Sequence, residues 1–187
     1  MGIDAGQYVK READGLRITL PAGAGKKGAV GIAGRFPLRG DFEVTATYEL
    51  IDGPEPARLA SMILYADFTE PANLASIQRA RRAGEGNIYA LHGLISRLGR
   101  TDRWERTFPT EGRTGKLRIL RRGSQLCFLV ADGPSDEFRL LHRATCNTSD
   151  VRTVRAVVDV QTASAPYPVD VRWLDLTIRA EELPGLR

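Results

Sequence analysis

Several residue types that would identify a function are scarce in this chain. Its 187 residues include two cysteines, Cys127 and Cys146, and two histidines, His92 and His142. Two cysteines cannot build a disulfide framework, and neither the cysteines nor the histidines show the spacing of a zinc site. Cys127 lies in an apolar run, which predicts a buried thiol. The sequence therefore predicts a fold without a zinc site.

Motifs of several large protein classes are also missing. The sequence has no phosphate-binding G-x-x-x-x-G-K-S/T loop, no dinucleotide-binding glycine pattern and no G-x-S-x-G nucleophile turn. No apolar run approaches the ~18 residues that a membrane-spanning helix requires. The first residues lack the charged leader and apolar core of a signal peptide. We expect no membrane insertion, and the start reads as that of a domain cut from a larger protein, which leaves its localisation unknown.

The composition is that of an ordinary globular domain. Hydrophobic residues make up 42% of the chain and charged residues 27%, and the net charge is +4. A chain of this length buries roughly 70% of its unfolded surface. We predict a single domain over residues 1–187, with an N-terminal segment at 1–14 and a frayed tail at 181–187. The basic residues are mostly arginine, which suits carboxylate or phosphate recognition, although a GC-rich genome also explains the bias.

The hydrophobic pattern repeats every two residues. In Asp41–Leu50, apolar residues from Phe42 to Leu50 alternate with polar residues from Glu43 to Glu49. This alternation is typical of an antiparallel strand with one buried and one wet face.

About ten such segments occur, separated by turns rich in Gly, Pro, Asp and Asn. We predict strands at Leu16–Leu20, Ala29–Phe36, Asp41–Leu50, Leu59–Phe68, Ala75–Arg82, Ile88–Ile95, Leu117–Arg121, Gln125–Ala131, Glu137–Leu141, Val154–Gln161 and Val169–Ala180. The only helices expected are single turns, for example near Thr148–Arg152. The fold class is therefore all-β, an antiparallel jelly-roll β-sandwich.

Four groups of residues resemble a family of bacterial domains of unknown function that occurs mainly in large planctomycete proteins. They are Gly15–Ile18 with Leu20 and Pro21, Gly40–Ala46 with Tyr48–Leu50, Leu117–Arg118 with Arg121–Gly123, and Val169–Arg172 with Asp175, Leu176 and Ile178–Ala180. The resemblance covers nearly the whole chain and is least distinctive over Asp67–Trp104. It implies a concanavalin A-like, laminin-G-like sandwich, and it brings no activity and no site residues.

The wider concanavalin A-like group contains glucanases, which carry closely spaced acids on one strand. Retaining glycosidases need two carboxylates about 5–5.5 Å apart. Here the nearest segment runs from Glu43 to Glu49 with threonines between them. A threonine cannot supply a carboxylate, so we predict that the chain is not an enzyme.

An arginine-rich region forms the most unusual local feature. It consists of Gln78–Arg82 followed by Arg97, Arg100, Arg103 and Arg106. If Ala75–Arg82 is a strand, Arg79 and Arg81 share a face with Ile77. Together with Tyr89 or Trp104 they would bind an anionic polymer, for example a sulfated or uronic polysaccharide. The alternative is a solvated face whose arginines are ion-paired with nearby acids, namely Asp67, Glu70, Glu85, Asp102 and Glu105. No nucleic-acid-binding motif accompanies the arginines, so we expect no nucleic acid partner.

The remaining candidates are two tryptophans, one histidine and a calcium rim. Trp104 lies in a charged segment, where its ring either stacks on a sugar or folds over the sheet edge. Trp173 either packs in the core or faces solvent, on the face opposite Leu174, Leu176 and Ile178. His92 completes the ligand-binding candidates, which are Arg79, Arg81, Tyr89, His92 and Trp104. Sandwiches of this kind also hold calcium at a rim, where Asp132, Gly133 and Asp136, or Asp52 and Glu55, would contribute, although these are equally ordinary turn sequences.

We therefore predict a non-catalytic accessory module of a larger bacterial protein that binds carbohydrate. The alternative is a structural domain, or one that binds other protein domains, without a small ligand. A glycoside hydrolase is the third reading. A groove holding aromatic and arginine side chains would favour ligand binding, whereas a flat apolar patch of several hundred Å² would favour a protein partner.

Overall fold

The computed structural model describes most of the chain. The described residues are 1–2, 5–21, 28–34, 36–52, 59–70, 73–82, 84–97, 100–160 and 168–185. Within them lie one short helix and thirteen strands. These are α1 (Ala5–Tyr8), β1 (Val9–Glu12), β2 (Gly15–Leu20), β3 (Val30–Gly34), β4 (Arg39–Asp52), β5 (Leu59–Phe68), β6 (Leu74–Arg82), β7 (Gly86–Arg97), β8 (Arg100–Pro109), β9 (Thr114–Arg122), β10 (Gln125–Asp132), β11 (Arg139–Thr145), β12 (Val151–Val160) and β13 (Val169–Glu182).

The strands form two sheets that pack face to face. One sheet has seven strands in the order β1-β2-β13-β4-β9-β10-β11, and the other has six in the order β3-β12-β5-β6-β7-β8. Neighbouring strands pair antiparallel throughout the described residues. The predicted all-β antiparallel sandwich is confirmed.

The core lies between the inner faces of the two sheets, as the two-residue period requires. In β4, Phe42, Val44, Ala46 and Tyr48 are all buried, whereas Glu43 and Thr47 between them are partly exposed. The six-stranded sheet contributes apolar side chains at every second position in the same way, from Leu64 in β5 to Ile77 in β6 and Leu91 in β7. Each sheet therefore keeps a second face outside the core.

The predicted helical turn near Thr148–Arg152 is wrong. The chain is irregular from 146 to 150, and β12 begins at Val151. Backbone hydrogen bonds in both directions join Val151 to Leu38, with N to O distances of 2.9 and 3.0 Å. These bonds hold the segment in an extended ladder, because the same amides cannot also bond within a helix.

Two strands were missing from the sequence prediction. β1 lies inside the expected N-terminal segment, and β8 consists mainly of charged residues, so neither shows a clear apolar alternation. The last strand is also longer than predicted, because β13 continues to Glu182, which pairs with Arg39.

Trp173 packs in the core with 3% of its surface exposed, which confirms the first of the two predicted alternatives. The register of β13 against β4 shifts between Trp173 and Asp175. A bulge of this kind changes which face the following side chains occupy. For that reason Leu176 and Ile178, which alternation places opposite Trp173, also pack against the core.

Trp104 closes one edge of the sandwich from the inside. It lies in β8 opposite Gly93 of β7, and its ring packs edge-on against Phe128 and His142 at centroid distances of 5.4 and 5.0 Å. Phe128 and His142 belong to β10 and β11, so this contact joins the edges of the two sheets. The space over Gly93 is filled by the indole ring.

Replacing Gly93 with alanine should therefore destabilise the fold. The new Cβ would lie 2.3 Å from Cε2 of Trp104, a ring held from behind by Phe128 and His142. We expect Gly93→Ala to lower the free energy of unfolding by about 1–3 kcal/mol, measured by urea titration of tryptophan fluorescence. Gly6→Ala is the control, because nothing lies within 4 Å of a Cβ there. Equal stability of both variants would contradict this account of the edge.

Candidate functional site

A groove of about 530 Å³ crosses the outer face of the six-stranded sheet from β5 to β8. Its lining mixes apolar, hydrogen-bonding and charged side chains. The lining residues are Ile63, Tyr65, Leu74, Ser76, Gln78, Arg82, His92, Gly93, Leu94, Arg103, Trp104 and Glu105.

Alternation along each strand brings these side chains to one face. Tyr65, Ser76, His92 and Glu105 are direct cross-strand neighbours, one on each of the four strands. Their inner-face neighbours, such as Leu64 and Leu91, are buried in the core. The residues that fix the sheet therefore also fix the row of polar groups on its other side.

The sheet curves around the groove. Arg82 of β6 lies beside Gly86 of β7, whereas Glu105 of β8 lies beside His92, six residues further along. A flat sheet would separate these positions by about 20 Å along the strands at ~3.3 Å per residue. Nevertheless Nη2 of Arg82 is 2.6 Å from Oε1 of Glu105. Two side chains can bridge that distance only if the outer face is concave.

His92 and Glu105 are cross-strand neighbours in the groove, with 3.9 Å between Nε2 and Oε1. The side-chain amide of Gln78 lies 2.5 Å from Nε2 of His92, and since an amide NH₂ group only donates, Nε2 accepts. Burial lowers the pKa of His92 below 6.5; the charge of Glu105 opposes this shift, and the charges of Arg82 and Arg103 add to it. The hydrogen bond from Arg82 lowers the pKa of Glu105. At neutral pH the pair is therefore an uncharged imidazole beside an ionised carboxylate.

An aromatic ring lines the groove at β5. Tyr65 is half-buried, and burial raises its pKa, so its hydroxyl stays protonated. The guanidinium of Arg155 lies over the ring, 4.2 Å from its centroid, and is bound to both carboxylate oxygens of Asp67 at 2.6 and 2.7 Å. These contacts hold the ring in a fixed orientation.

The five ligand-binding candidates from the sequence do not share one exposed face. Arg79 and Tyr89 are 2% and 0% exposed and lie on the inner face of the six-stranded sheet. Arg81 is half-buried on the same side of β6. Trp104 turns inward over Gly93, and its segment borders the groove. Of the five, His92 alone extends from the outer face into the groove.

Arg79 belongs to a polar cluster inside the sandwich. Its guanidinium donates to the backbone oxygens of Gly112 and Ala80 at 2.9 and 2.8 Å. Tyr89 lies nearby, and its hydroxyl donates to Asp132 at 2.6 Å and contacts that of Tyr48 at 3.0 Å. Burial lowers the pKa of Arg79 and raises that of both tyrosines. This cluster satisfies buried polar groups and is closed to a polymeric ligand.

The structure contains some of the ion pairs that the alternative interpretation of the arginine-rich region predicts. Arg82 binds Glu85 and Glu105, and Arg100 lies 4.0 Å from Asp102. Asp67 instead pairs with Arg155, which is distant in sequence, and Glu70 accepts hydrogen bonds from Asn73 and Asn147.

The carboxylates proposed for calcium have protein partners. Asp132 accepts from Tyr89 and lies 3.8 Å from Arg139, whereas Asp136 binds Lys116. The Asp52 side chain and Glu55 lie outside the described residues. Among the residues that are described, no group of three His, Cys, Asp or Glu side chains could hold a metal ion, and no helix is long and apolar enough to cross a membrane. Cys127 is buried and free, as predicted.

The sequence does indicate which face of β6 lines the groove, although the arginine pattern suggested the opposite face. Arg79 shares a face with Ile77, and an apolar neighbour at that spacing indicates the core side. The other face of the strand carries Ser76, Gln78 and Arg82, which line the groove. Tyr65 could not be found in this way, because β5 is apolar on both faces as a central strand should be.

Comparison with known families identifies the chain. It matches the family described as "Protein of unknown function (DUF1583) C domain" over residues 2–187. The chain belongs to this family. A search of the curated proteins finds no match.

Solved structures with the same fold include proteins that act on or bind carbohydrate. A legume lectin-like domain from Entamoeba histolytica has a TM-score of 0.65 at 9% identity, covering 93% of this chain and 87% of that one. An alginate lyase from Klebsiella pneumoniae has a TM-score of 0.64 at 10% identity, covering 92% and 84%. The carbohydrate binding module CBM66 from Bacillus subtilis has a TM-score of 0.50 at 12% identity, covering 92% and 91%. At these identities the likeness establishes the concanavalin A-like fold alone.

Loss of the buried guanidinium should cost more than loss of an exposed one. Arg79→Met leaves two buried carbonyl oxygens without their donor, at about 1–3 kcal/mol each. We expect the free energy of unfolding, extrapolated from urea titration, to fall by at least about 2 kcal/mol, with an unchanged m-value. Arg100→Met, whose side chain is 88% exposed, should stay within about 0.5 kcal/mol of the parent protein. Similar losses for both would show that Arg79 is not structurally important.

Both histidines should make the fold less stable in mild acid. Burial lowers the pKa of His92 and of His142 below 6.5. The unfolded chain therefore binds more protons than the folded chain as the pH falls through about 6.5, so stability is full above that value and declines below it. We expect the melting temperature to fall between about pH 7.5 and about pH 5.5, and to fall less in the His92→Gln/His142→Gln variant.

The quantity compared is the drop in melting temperature between the two pH values, taken separately for each protein, because the double substitution also alters packing. The carboxylates whose pKa is lowered, Glu105, Asp136 and Asp170, start from 4.5 or 3.8 and titrate below this window. A double variant with the same acid-induced drop as the parent would exclude the histidines as its cause.

Proposed function

We propose that the chain is a non-catalytic accessory module that binds carbohydrate in the outer groove of its six-stranded sheet. The observation that carries the proposal is the combination, on one concave sheet face, of an oriented aromatic ring with uncharged hydrogen-bonding side chains. A larger parent protein of bacterial, planctomycete origin is part of the same proposal.

The chemistry of the groove suits a sugar chain. A pyranose ring has an apolar C–H face, which stacks on an aromatic ring such as Tyr65, and hydroxyl groups, which exchange hydrogen bonds with accessible polar groups such as His92. Ser76 and Gln78, which are 2% and 4% exposed, form the floor of the groove. The volume of about 530 Å³ falls within the range of roughly 300–1,000 Å³ that ligand sites occupy. The groove also crosses four strands, so an extended ligand fits better than a compact one.

The structural neighbours support a carbohydrate ligand. They include a lectin-like domain and a carbohydrate binding module, and each spans nearly the whole of this chain.

The charge state of the acids supports a role without catalysis. A glycosidase needs a protonated carboxyl group as its general acid. Glu105 in the groove is bound by Arg82, which lowers its pKa. Glu43 and Glu49, the acids nearest to a glucanase motif, are on β4 of the other sheet, where Glu43 lies 3.4 Å from Arg118 and Glu49 lies 2.8 Å from Arg172.

A protein-binding role without a small ligand receives less support. Such a surface would expose a contiguous apolar patch. Over the described part of the chain, the large hydrophobic residues that are exposed are Met1 and Leu140. We therefore favour the carbohydrate ligand.

Removal of the ring in the groove should abolish most of the binding. We expect Tyr65→Ala to weaken polysaccharide binding by about tenfold or more, equivalent to about 1.4 kcal/mol, because aromatic anchors contribute much of the energy at such sites. The measurement is a thermal-shift screen against neutral and acidic polysaccharides, followed by calorimetric titration of those that bind. A ligand at ~100 times its dissociation constant should stabilise the protein by about 2.7 kcal/mol.

Phe138→Ala provides a matched control on the other sheet. Its ring also lies beneath an arginine, Arg118, at 3.5 Å from the centroid, so both variants lose a ring and a cation–π contact. Equal weakening by both variants, or no binding of the parent protein to any polysaccharide, would contradict the proposed site. The same mixtures should release no new reducing ends or unsaturated products, and their release would identify an enzyme.

A further inference from the structure

The arginines in and near the groove differ in whether they have a carboxylate partner. Arg82 and Glu105 lie 2.6 Å apart, and Glu85 lies 3.0 Å from the same guanidinium. Of the cations close to the groove, Arg155 is bound by both oxygens of Asp67. Each of these arginines already has a carboxylate partner.

Arg103 differs from them. It lines the groove from β8, is exposed, and makes no hydrogen bond or ion pair with any other residue that the structure describes. Its cross-strand neighbour is Leu94, which offers no counter-charge. The next groove residue on β8 is Glu105, whose carboxylate is already bound to Arg82. Arg103 therefore lines the groove without a hydrogen-bond or ion-pair partner among the residues that are described.

The surroundings of Arg103 favour an anion over a neutral group. Its charge lowers the pKa of both His92 and Glu105, which are its neighbours on β7 and β8. A guanidinium presents parallel N–H groups that match a carboxylate or a sulfate in a bidentate geometry.

We propose that the ligand of this groove is an acidic glycan, one of whose carboxylate or sulfate groups is bound by Arg103. The proposal rests on the proposed function and specifies its ligand. The acidic group occupies the β8 side of the groove, and a sugar ring of the same chain stacks on Tyr65 at β5. Strands lie about 4.8 Å apart, so three strand spacings separate these points by about 14 Å along the sheet. The ligand is therefore an oligosaccharide longer than one sugar ring.

Two pairs of glycans that differ only in charge provide the test. Oligogalacturonate and its methyl ester share one backbone and differ in the carboxylate, whereas dextran sulfate and dextran differ in the sulfate. Binding of each to the intact protein is measured by calorimetric titration at low and at moderate salt. We expect one charged member to bind at least about tenfold more tightly than its neutral counterpart, with an affinity that falls as salt rises.

Arg103→Gln should remove this preference. The matched control is Arg100→Gln, which changes the net charge equally on the same strand and lies outside the groove lining. We expect about tenfold weaker binding of the charged glycan to Arg103→Gln, unchanged binding of its neutral partner, and no effect of Arg100→Gln. Both side chains are exposed, so melting temperatures should confirm that both variants fold.

Each remaining outcome overturns the proposal in a different way. Equal binding of the charged and neutral members would reject an acidic ligand and leave carbohydrate binding intact. A preference for the charged member that both variants weaken equally would show attraction by net charge and reject Arg103 as the binding residue. Absence of binding to all four glycans, together with a failure of the wider polysaccharide screen, would reject the proposed function itself.

Discussion

The contact between the hydroxyl groups of Tyr48 and Tyr89 joins the two sheets from inside. Tyr48 belongs to β4 of one sheet and Tyr89 to β7 of the other, and Asp132 and Arg79 complete the polar cluster around them. Buried polar groups are costly unless they are paired, and their pairing requires one geometry. Apolar side chains hold the sheets together, but this cluster restricts how they can slide across one another. The position of β7, and with it the groove on its outer face, depends on that restriction.

The groove follows from curvature as much as from composition. The same strands bury Leu64, Ile77 and Leu91 on one face and present Tyr65, Gln78 and His92 on the other. The salt bridge between Arg82 and Glu105 spans the hollow between positions that a flat sheet would keep apart. Concavity brings side chains from four strands to one groove, including the nearly buried Ser76 and Gln78.

Most of the architecture could be predicted from the sequence, because strand alternation is a local property. The inward face of β4 and the two hairpins at β6–β7 and β9–β10 follow directly from it. β8 could not be predicted, since an edge strand with polar residues on both sides lacks the apolar period. The site was harder still. Arg79 and Tyr89 are polar residues in the interior, and their burial depends on carbonyls and hydroxyls contributed by distant segments. Curvature and the pairing of charges are likewise non-local, so the sequence did not distinguish Arg103 from its ion-paired neighbours.

The position of β8 at the edge of its sheet affects the local motion of the groove. An edge strand is hydrogen-bonded on one side only, so its backbone opens at a lower free energy than that of a central strand. β8 supplies Arg103 and Glu105 to the groove, whereas the opposite wall at β5 lies between β12 and β6. The β5 side of the groove is therefore more rigid than the β8 side. Trp104 anchors β8 through its packing against Phe128 and His142. Small movements of that strand would change the width of the groove while the rest of the sandwich stays in place.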